Sequence, residues 1–262
     1  MPRGYPISDG RHAKAPLASR RRMPKTLRMS ATPRRTFPPS PIEARVLVLH
    51  GHPNPGSFNR ALAGRYVQGL ARSGLRVDEV DVDALAFDLR LRGPDFGAQE
   101  LEPALLELQA QIARAAHLVV ASPVWWGSVP ASFKGMIDRV FLPGWAYLYG
   151  DAATPQAGLK GRSARVLLTM DAPSWWDRFV YGRSASRQLE RAWLRFVGIQ
   201  SYGVTRFTGI KNTDSARRDR MLDRVEALGA RDASQVRARF PRVAATSHPV
   251  GADEATAGRV AR

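Results

Sequence analysis

Residues 45–59, Arg-Val-Leu-Val-Leu-His-Gly-His-Pro-Asn-Pro-Gly-Ser-Phe-Asn, constrain the fold more than any other stretch. Val46 to Leu49 is an unbroken apolar run, too short for a helix and rich in Val. Such a run suits a strand buried on both faces of a parallel sheet. Pro53, Pro55 and Gly56 then break the chain. From Ser57 a helical pattern opens, with Leu62, Tyr66 and Leu70 on one face. The unit reads strand, tight loop, helix, and ligands of open α/β sheets bind in such loops, at the carboxyl ends of strands.

The loop's chemistry suits a phosphate. Ser57 is placed to cap the helix, and the first helical N–H groups lack internal partners and favour an anion. His52, Ser57 and Asn59 add side-chain donors. The text matches neither the dinucleotide fingerprint nor the triphosphate P-loop. The plainer alternative keeps Ser57 as a cap and His52 as a loop residue.

The same alternation recurs. Leu75 to Val82 reads as a second strand after Gly74, with Val77, Val80 and Val82 as its apolar members, and Leu118 to Ala121 as a third. Residues 83–100, with Gly93-Pro94, form an irregular excursion. Leu101, Leu105, Leu108 and Ile112 mark one helix face; Phe133, Ile137, Val140 and Phe141 mark another. Residues 143–162 make a long connection. Arg165 to Met170 is the fourth strand, and Leu189, Trp193, Phe196 and Val197 lie on a helix stopped by Gly198. Ile199 to Phe207 is the fifth strand, interrupted by Gly203. A last helix starts near Asp214 and loses its periodicity beyond about Arg231.

Strands alternating with helices predict an α/β fold: a doubly wound, parallel, five-stranded sheet with helices on both faces. Right-handed crossovers and the order 2-1-3-4-5 put a switch point between the first and third strands. The loop after the third strand, Pro123-Val124-Trp125-Trp126-Gly127-Ser128-Val129-Pro130, therefore neighbours the phosphate-loop candidate. Two adjacent tryptophans cannot point the same way, so one is expected inward and one lining a cleft, where flat aromatic surface suits a planar ring. A plain hydrophobic loop is the alternative.

Residues 1–41 hold ten Lys and Arg against Asp9 alone, a net +9 of the chain's +17, which leaves +8 for residues 42–262. The expected organisation is a disordered basic extension over 1–41, a domain over 42–231 and a loose tail over 232–262. The extension reads as a mis-assigned start, with translation from Met23 or Met29, or as a polybasic tail or a transit-like segment. No apolar stretch follows Arg20-Arg21-Arg22, so export is not expected. The charge of residues 42–262 fits phosphate-bearing ligands as well as DNA. Nucleic acid bound through the basic arm is therefore a remote alternative rather than the expected partner. The chain has no cysteine, which removes disulfides, iron–sulfur clusters and thiol nucleophiles. No apolar run is long enough to span a bilayer. His50 and His52 lack a third metal ligand, so no metal is expected.

The Gly-His-Pro…Ser-Phe-Asn segment ending at Asn59 resembles the flavin phosphate loop of the NAD(P)H:quinone oxidoreductase family, the flavodoxin-like group that includes DT-diaphorase. Pro123 to Phe141 is similar to that family's isoalloxazine loop and following helix. The likeness covers roughly residues 45–230. It implies that His52, Ser57, Phe58 and Asn59 hold the flavin's phosphate end, and that Pro123, Val124, Trp125 and Trp126 flank its ring. The third segment departs from the best-known members: Thr169-Met170-Asp171 stands where they carry a Thr-Thr-Gly-Gly-like turn, with flavin contact expected through its backbone. Trp175, Trp176 and Tyr181 are expected to wall the acceptor site, helix–sheet packing being the alternative for each. Residues 182–188 lack the histidine that members often place there, and no catalytic residue is nominated. The resemblance implies FAD, with FMN as the second choice, NAD(P)H as co-substrate, a quinone-like acceptor, a homodimer and a cytoplasmic location. Reduction of azo, nitro or free flavin substrates, or an ancillary role beside a potassium efflux system, is the alternative within the class.

Overall fold

The computed structural model describes residues 41–92, 99–149 and 155–241. The basic extension (Pro41 apart), the Gly93-Pro94 turn and residues 242–262 of the expected tail lie outside these ranges.

Apolar runs become strands where side chains can be buried on alternate faces. β1 is Glu43–His50, β2 Arg76–Asp81 and β3 Ala115–Pro123, the last buried throughout. The 143–162 connection carries a two-residue antiparallel pair, β4 (Tyr147–Leu148) with β5 (Gln156–Ala157). β6 is Ser163–Met170 and β7 is Gln200–Thr208. The main sheet runs β2-β1-β3-β6-β7, all parallel, which is the expected 2-1-3-4-5 once the small pair is set aside.

Among the described residues, five helices and one mixed segment accompany the sheet. They are α1 (Phe58–Leu70), α2 (Pro103–Arg114), α3 (Ala131–Val140), α4 (Ser174–Phe179), α5 (Ser184–Arg187), which continues as a π-wound stretch Gln188–Arg195, and α6 (Ser215–Arg239). Leu47, Leu49, Leu118 and Val120 meet Phe133, Met136 and Trp193 on one face. Val46, Val48, Val119 and Ala121 meet Leu62, Tyr66, Val225 and Val236 on the other. Each fully buried Leu or Val here contributes roughly 1.5–3 kcal/mol.

Two details depart from expectation. β2 is an edge strand: Val77 and Val80 are half-buried, and Val82, which is buried, sits in the turn after it. α6 keeps its helix past Arg231 to Arg239, with Asp232, Ala233 and Val236 buried. The boundary expected there is corrected by a buried ion pair. Arg165 Nε and Nη2 each lie 2.7 Å from the Asp232 carboxylate, which also accepts the Tyr66 hydroxyl at 2.8 Å. An acid at a core position interrupts apolar periodicity, although a partner satisfies it.

Arg139, buried in α3, holds the excursion after β2 in place. It donates to the carbonyls of Asp88 and Glu100 and pairs with Glu102 at 2.8 Å. Burial opposes ionisation of Glu102, but the N–H groups of Asp88 and of Glu102 itself and the Arg139 guanidinium outweigh it, so its pKa falls.

Candidate functional site

Strand register brings three loops level. His50 of β1 pairs with Ala121 of β3, and Pro123 of β3 pairs with Thr169 of β6. The contact runs one residue further into each loop: Gly51 N–H donates to the Ala121 carbonyl at 2.7 Å, and Val124 N–H to the Thr169 carbonyl at 2.8 Å. A Cβ at Gly51 would lie 2.7 Å from Phe133 Cδ2, so only glycine fits where β1 meets α3.

The loop after β1 is organised by its own short polar side chains. Asn54 N–H donates to His52 Nδ1 at 3.0 Å, and Gly56 N–H to Asn54 Oδ1 at 2.8 Å. Ser57 caps α1, its Oγ accepting Arg60 N–H at 3.3 Å. With Nδ1 accepting, the neutral His52 ring carries its proton on Nε2. Burial lowers the His52 pKa, so at neutral pH the ring is an uncharged donor. The Phe58 and Asn59 N–H groups lie in the first turn of α1, where helical donors lack internal partners. Buried Asn59 donates from Nδ2 to Thr169 Oγ1 at 3.3 Å, linking this loop to the end of β6. His50 turns instead to Glu79, 2.7 Å from its Nε2, and burial lowers its pKa.

The loop after β3 folds as a tight hairpin. Trp125 and Ser128 exchange backbone hydrogen bonds of 2.8 and 2.9 Å, with Trp126 (φ 52°) and Gly127 (φ 74°) at the turn. Two successive positive φ values define a type I′ turn. Ser184 donates to the Gly127 carbonyl, and Ser128 donates to Gln188 at 2.8 Å, so α5 and its continuation hold the hairpin. In the third loop Asp171 accepts Lys211 N–H at 2.9 Å.

His52, Ser57, Phe58 and Asn59, then Pro123, Val124 and Trp125, then Thr169, Met170 and Asp171 line one cleft of about 160 Å³. His52 and Trp125 meet edge to face at 5.8 Å. Ile210, which lies in no motif, completes the lining, and nothing in the sequence marks it. Trp126 is not in the lining: the turn that seats Trp125 throws its neighbour outward, 97% exposed. The expected inward tryptophan of this pair does not exist, since Trp125 is itself 45% exposed. Trp175, Trp176 and Tyr181 also lie outside the lining, as an edge-to-face row spaced 5.4 and 6.3 Å. Tyr181 ends that row beside Gly127, where an added Cβ would meet its ring at 3.8 Å.

The donor set fits the phosphate end of a flavin. The start of α1 and its loop offer a neutral imidazole N–H, a hydroxyl, an amide and first-turn N–H groups, while the one carboxylate among the described lining residues, Asp171, stands in the third loop. A cleft of about 160 Å³ would enclose only part of such a molecule. Among the described residues no group of three or more His, Asp or Glu is placed to hold a metal ion.

A parallel sheet in this order, with its cleft at the carboxyl ends of the central strands, defines the flavodoxin-like class. Residues 44–228 match the flavodoxin-like fold family, and the chain belongs to it. It is 30% identical to NAD(P)H dehydrogenase (quinone) 1 of Cavia porcellus over 125 residues, 40% of this chain and 46% of that one. It is 25% identical to an uncharacterized NAD(P)H oxidoreductase of Haemophilus influenzae over 187 residues, 68% of this chain and 90% of that one. The first curated relatives are spanned for only about half of their length, between 46% and 63%. The solved NAD(P)H:quinone oxidoreductase from Methanothermobacter marburgensis shares the fold, with TM-score 0.62 and 24% identity over 72% of this chain and 96% of that one. Relatives carrying the name of the quinone oxidoreductase family are those the two loops led us to expect.

Proposed function

We propose that the protein is a flavin-dependent NAD(P)H oxidoreductase acting on a quinone or a similar small acceptor, with FAD as its cofactor and FMN as the second choice. The single observation that supports this most is the convergence of residues from three loops, 52–59, 123–125 and 169–171, on one cleft. A flavin bound there would take a hydride from NAD(P)H and pass the reducing equivalents to the acceptor. The chain's part is binding and orientation. His52, Ser57, Asn59 and the start of α1 would hold the phosphate end, with His52 uncharged so that donation rather than net charge does the work. Trp125 and the Pro123–Val124 backbone would support the ring, and the Asn59–Thr169 hydrogen bond keeps the two ends of the site in register. The Trp175–Trp176–Tyr181 row would flank the approach of the acceptor beside Gly127. Resemblance supports a homodimer and a cytoplasmic location. Among the described residues no helix is long and apolar enough to cross a membrane.

Steady-state oxidation of NADH and NADPH with a quinone, an azo dye, a nitroaromatic and free flavin tests the reading. The quinone is expected to give the highest kcat/KM. An equal rate with and without any acceptor would contradict it.

A further inference from the structure

Helix α4 reverses the usual pattern of a surface helix. Its one buried side chain is an acid, Asp177, while Trp175, Trp176 and Phe179 are 55%, 38% and 74% exposed. Val180, just past its end, is 53% exposed, and Arg178 lies over the Phe179 ring at 5.3 Å. Contiguous exposed apolar surface of this kind marks an interaction site. Asp177 faces Arg206 of β7 at 3.6 Å, which ties α4 to the sheet edge. Arg206 is in turn one wall of a cavity of about 300 Å³ that Arg217, Arg220 and Arg224 also line. Those three recur on one face of α6 and make no ion pair among the described residues. Aromatic anchors and a cationic pocket thus adjoin through one residue pair.

We propose that α4 and this arginine pocket form a docking surface for a bilayer carrying anionic phospholipid. Tryptophan favours the membrane–water interface, where its ring is half apolar and half polar. Basic side chains near the surface add attraction to anionic headgroups, and stable peripheral binding takes both signals. A guanidinium matches a lipid phosphate in geometry as well as charge. The net +8 of residues 42–262 acts in the same sense. A second copy fits the patch less well, because a two-fold contact would bring two copies of the same cationic patch together. Neither α4 nor the arginine pocket lines the cleft, although Trp175 and Trp176 also belong to the row that would flank the acceptor's approach, so the proposal is read from vesicle binding and not from turnover.

Flotation of the full-length protein with phosphatidylcholine vesicles, against vesicles mixed with phosphatidylglycerol, tests it. The protein is expected to float with the anionic vesicles, less so as salt rises. Arg217→Glu with Arg220→Glu should lower partitioning by about tenfold or more. Trp175→Ser with Phe179→Ser should also lower it, with wild-type circular dichroism and melting in both variants, since all four side chains are exposed. Variants that float like the wild type would overturn the proposal and assign any binding to the basic extension. Equal flotation with neutral vesicles would overturn it too. An absence of flotation with anionic vesicles would overturn it as well, and a change of oligomeric state in the Trp175→Ser, Phe179→Ser variant would then make the patch a self-association face.

Discussion

His117, far from the cleft, couples folding stability to pH through its burial. It is fully buried at the opposite end of β3 from the cleft. Its Nε2 lies 3.0 Å from the Tyr66 hydroxyl, and its Nδ1 lies 2.8 Å from Ser163 Oγ. Tyr66 donates its proton to Asp232, so it accepts from Nε2–H of His117. Burial pushes the His117 pKa down to about 4, with Asp232 opposing and Arg165 reinforcing the shift. The unfolded chain takes up this proton near pH 6.5 and the folded one only near pH 4. Its contribution is therefore intact above the first value and lost as pH falls toward the second, about 3 kcal/mol in all. Urea unfolding should show stability declining over that window, and His117→Gln should flatten the decline. An unchanged slope in the variant would mean that another group carries it. Trp126 makes the opposite case, a residue held where a bulky side chain is disfavoured. Its φ of 52° belongs to the left-handed region. Trp126→Asn, which supplies the pair best suited to a type I′ turn, should raise stability by about 1 kcal/mol in a denaturant titration. A loss would show that the exposed indole is held by contacts outside this chain. No local signal announced that conformation: Trp-Trp-Gly reads as aromatic surface, and only the paired hydrogen bonds of Trp125 and Ser128 make Trp126 a turn residue.

Among the elements, α1 and α6 cross closely enough for backbone to touch backbone. A Cβ at Gly69 would lie 2.1 Å from the Glu226 carbonyl oxygen, and one at Gly229 would lie 2.3 Å from that of Tyr66. Gly229→Val should cost about 3 kcal/mol or more, read as a lowered denaturant midpoint, because overpacking here cannot be relieved by a side-chain shift. A variant of wild-type stability would mean that the helices stand further apart. The elements were legible where one force acts alone. The apolar runs at 46–49 and 118–121 are strands because both faces are covered, and Ser57 and Asp214 cap the helices that follow them. They were illegible where a distant partner decides. The last two turns of α6 depend on Arg165 accepting the company of Asp232, and β2, on the sheet edge, buries too little to show a clear pattern.

For the whole molecule, the candidate site follows from topology as much as from motif. The two loops that carry local signals follow β1 and β3, and parallel pairing sets those strands side by side. The turn at 169–171 joins them because β6 pairs with β3 on its other side, so a weak motif gains its place from the sheet. Ile210 and the arginine pocket escaped the sequence because their parts come from separate elements with no shared spacing. The central claim is that the cleft at the β1–β3 switch point holds a flavin by donors at the start of α1. The most direct test is the visible spectrum of the purified protein, with chromatography of whatever denaturation releases. The account predicts a yellow protein absorbing at about 450 nm, release of FAD, and flavin retention weakened by His52→Ala with Ser57→Ala. A colourless protein that takes up neither FAD nor FMN, or a double variant that keeps its flavin as tightly as the wild type, would contradict it.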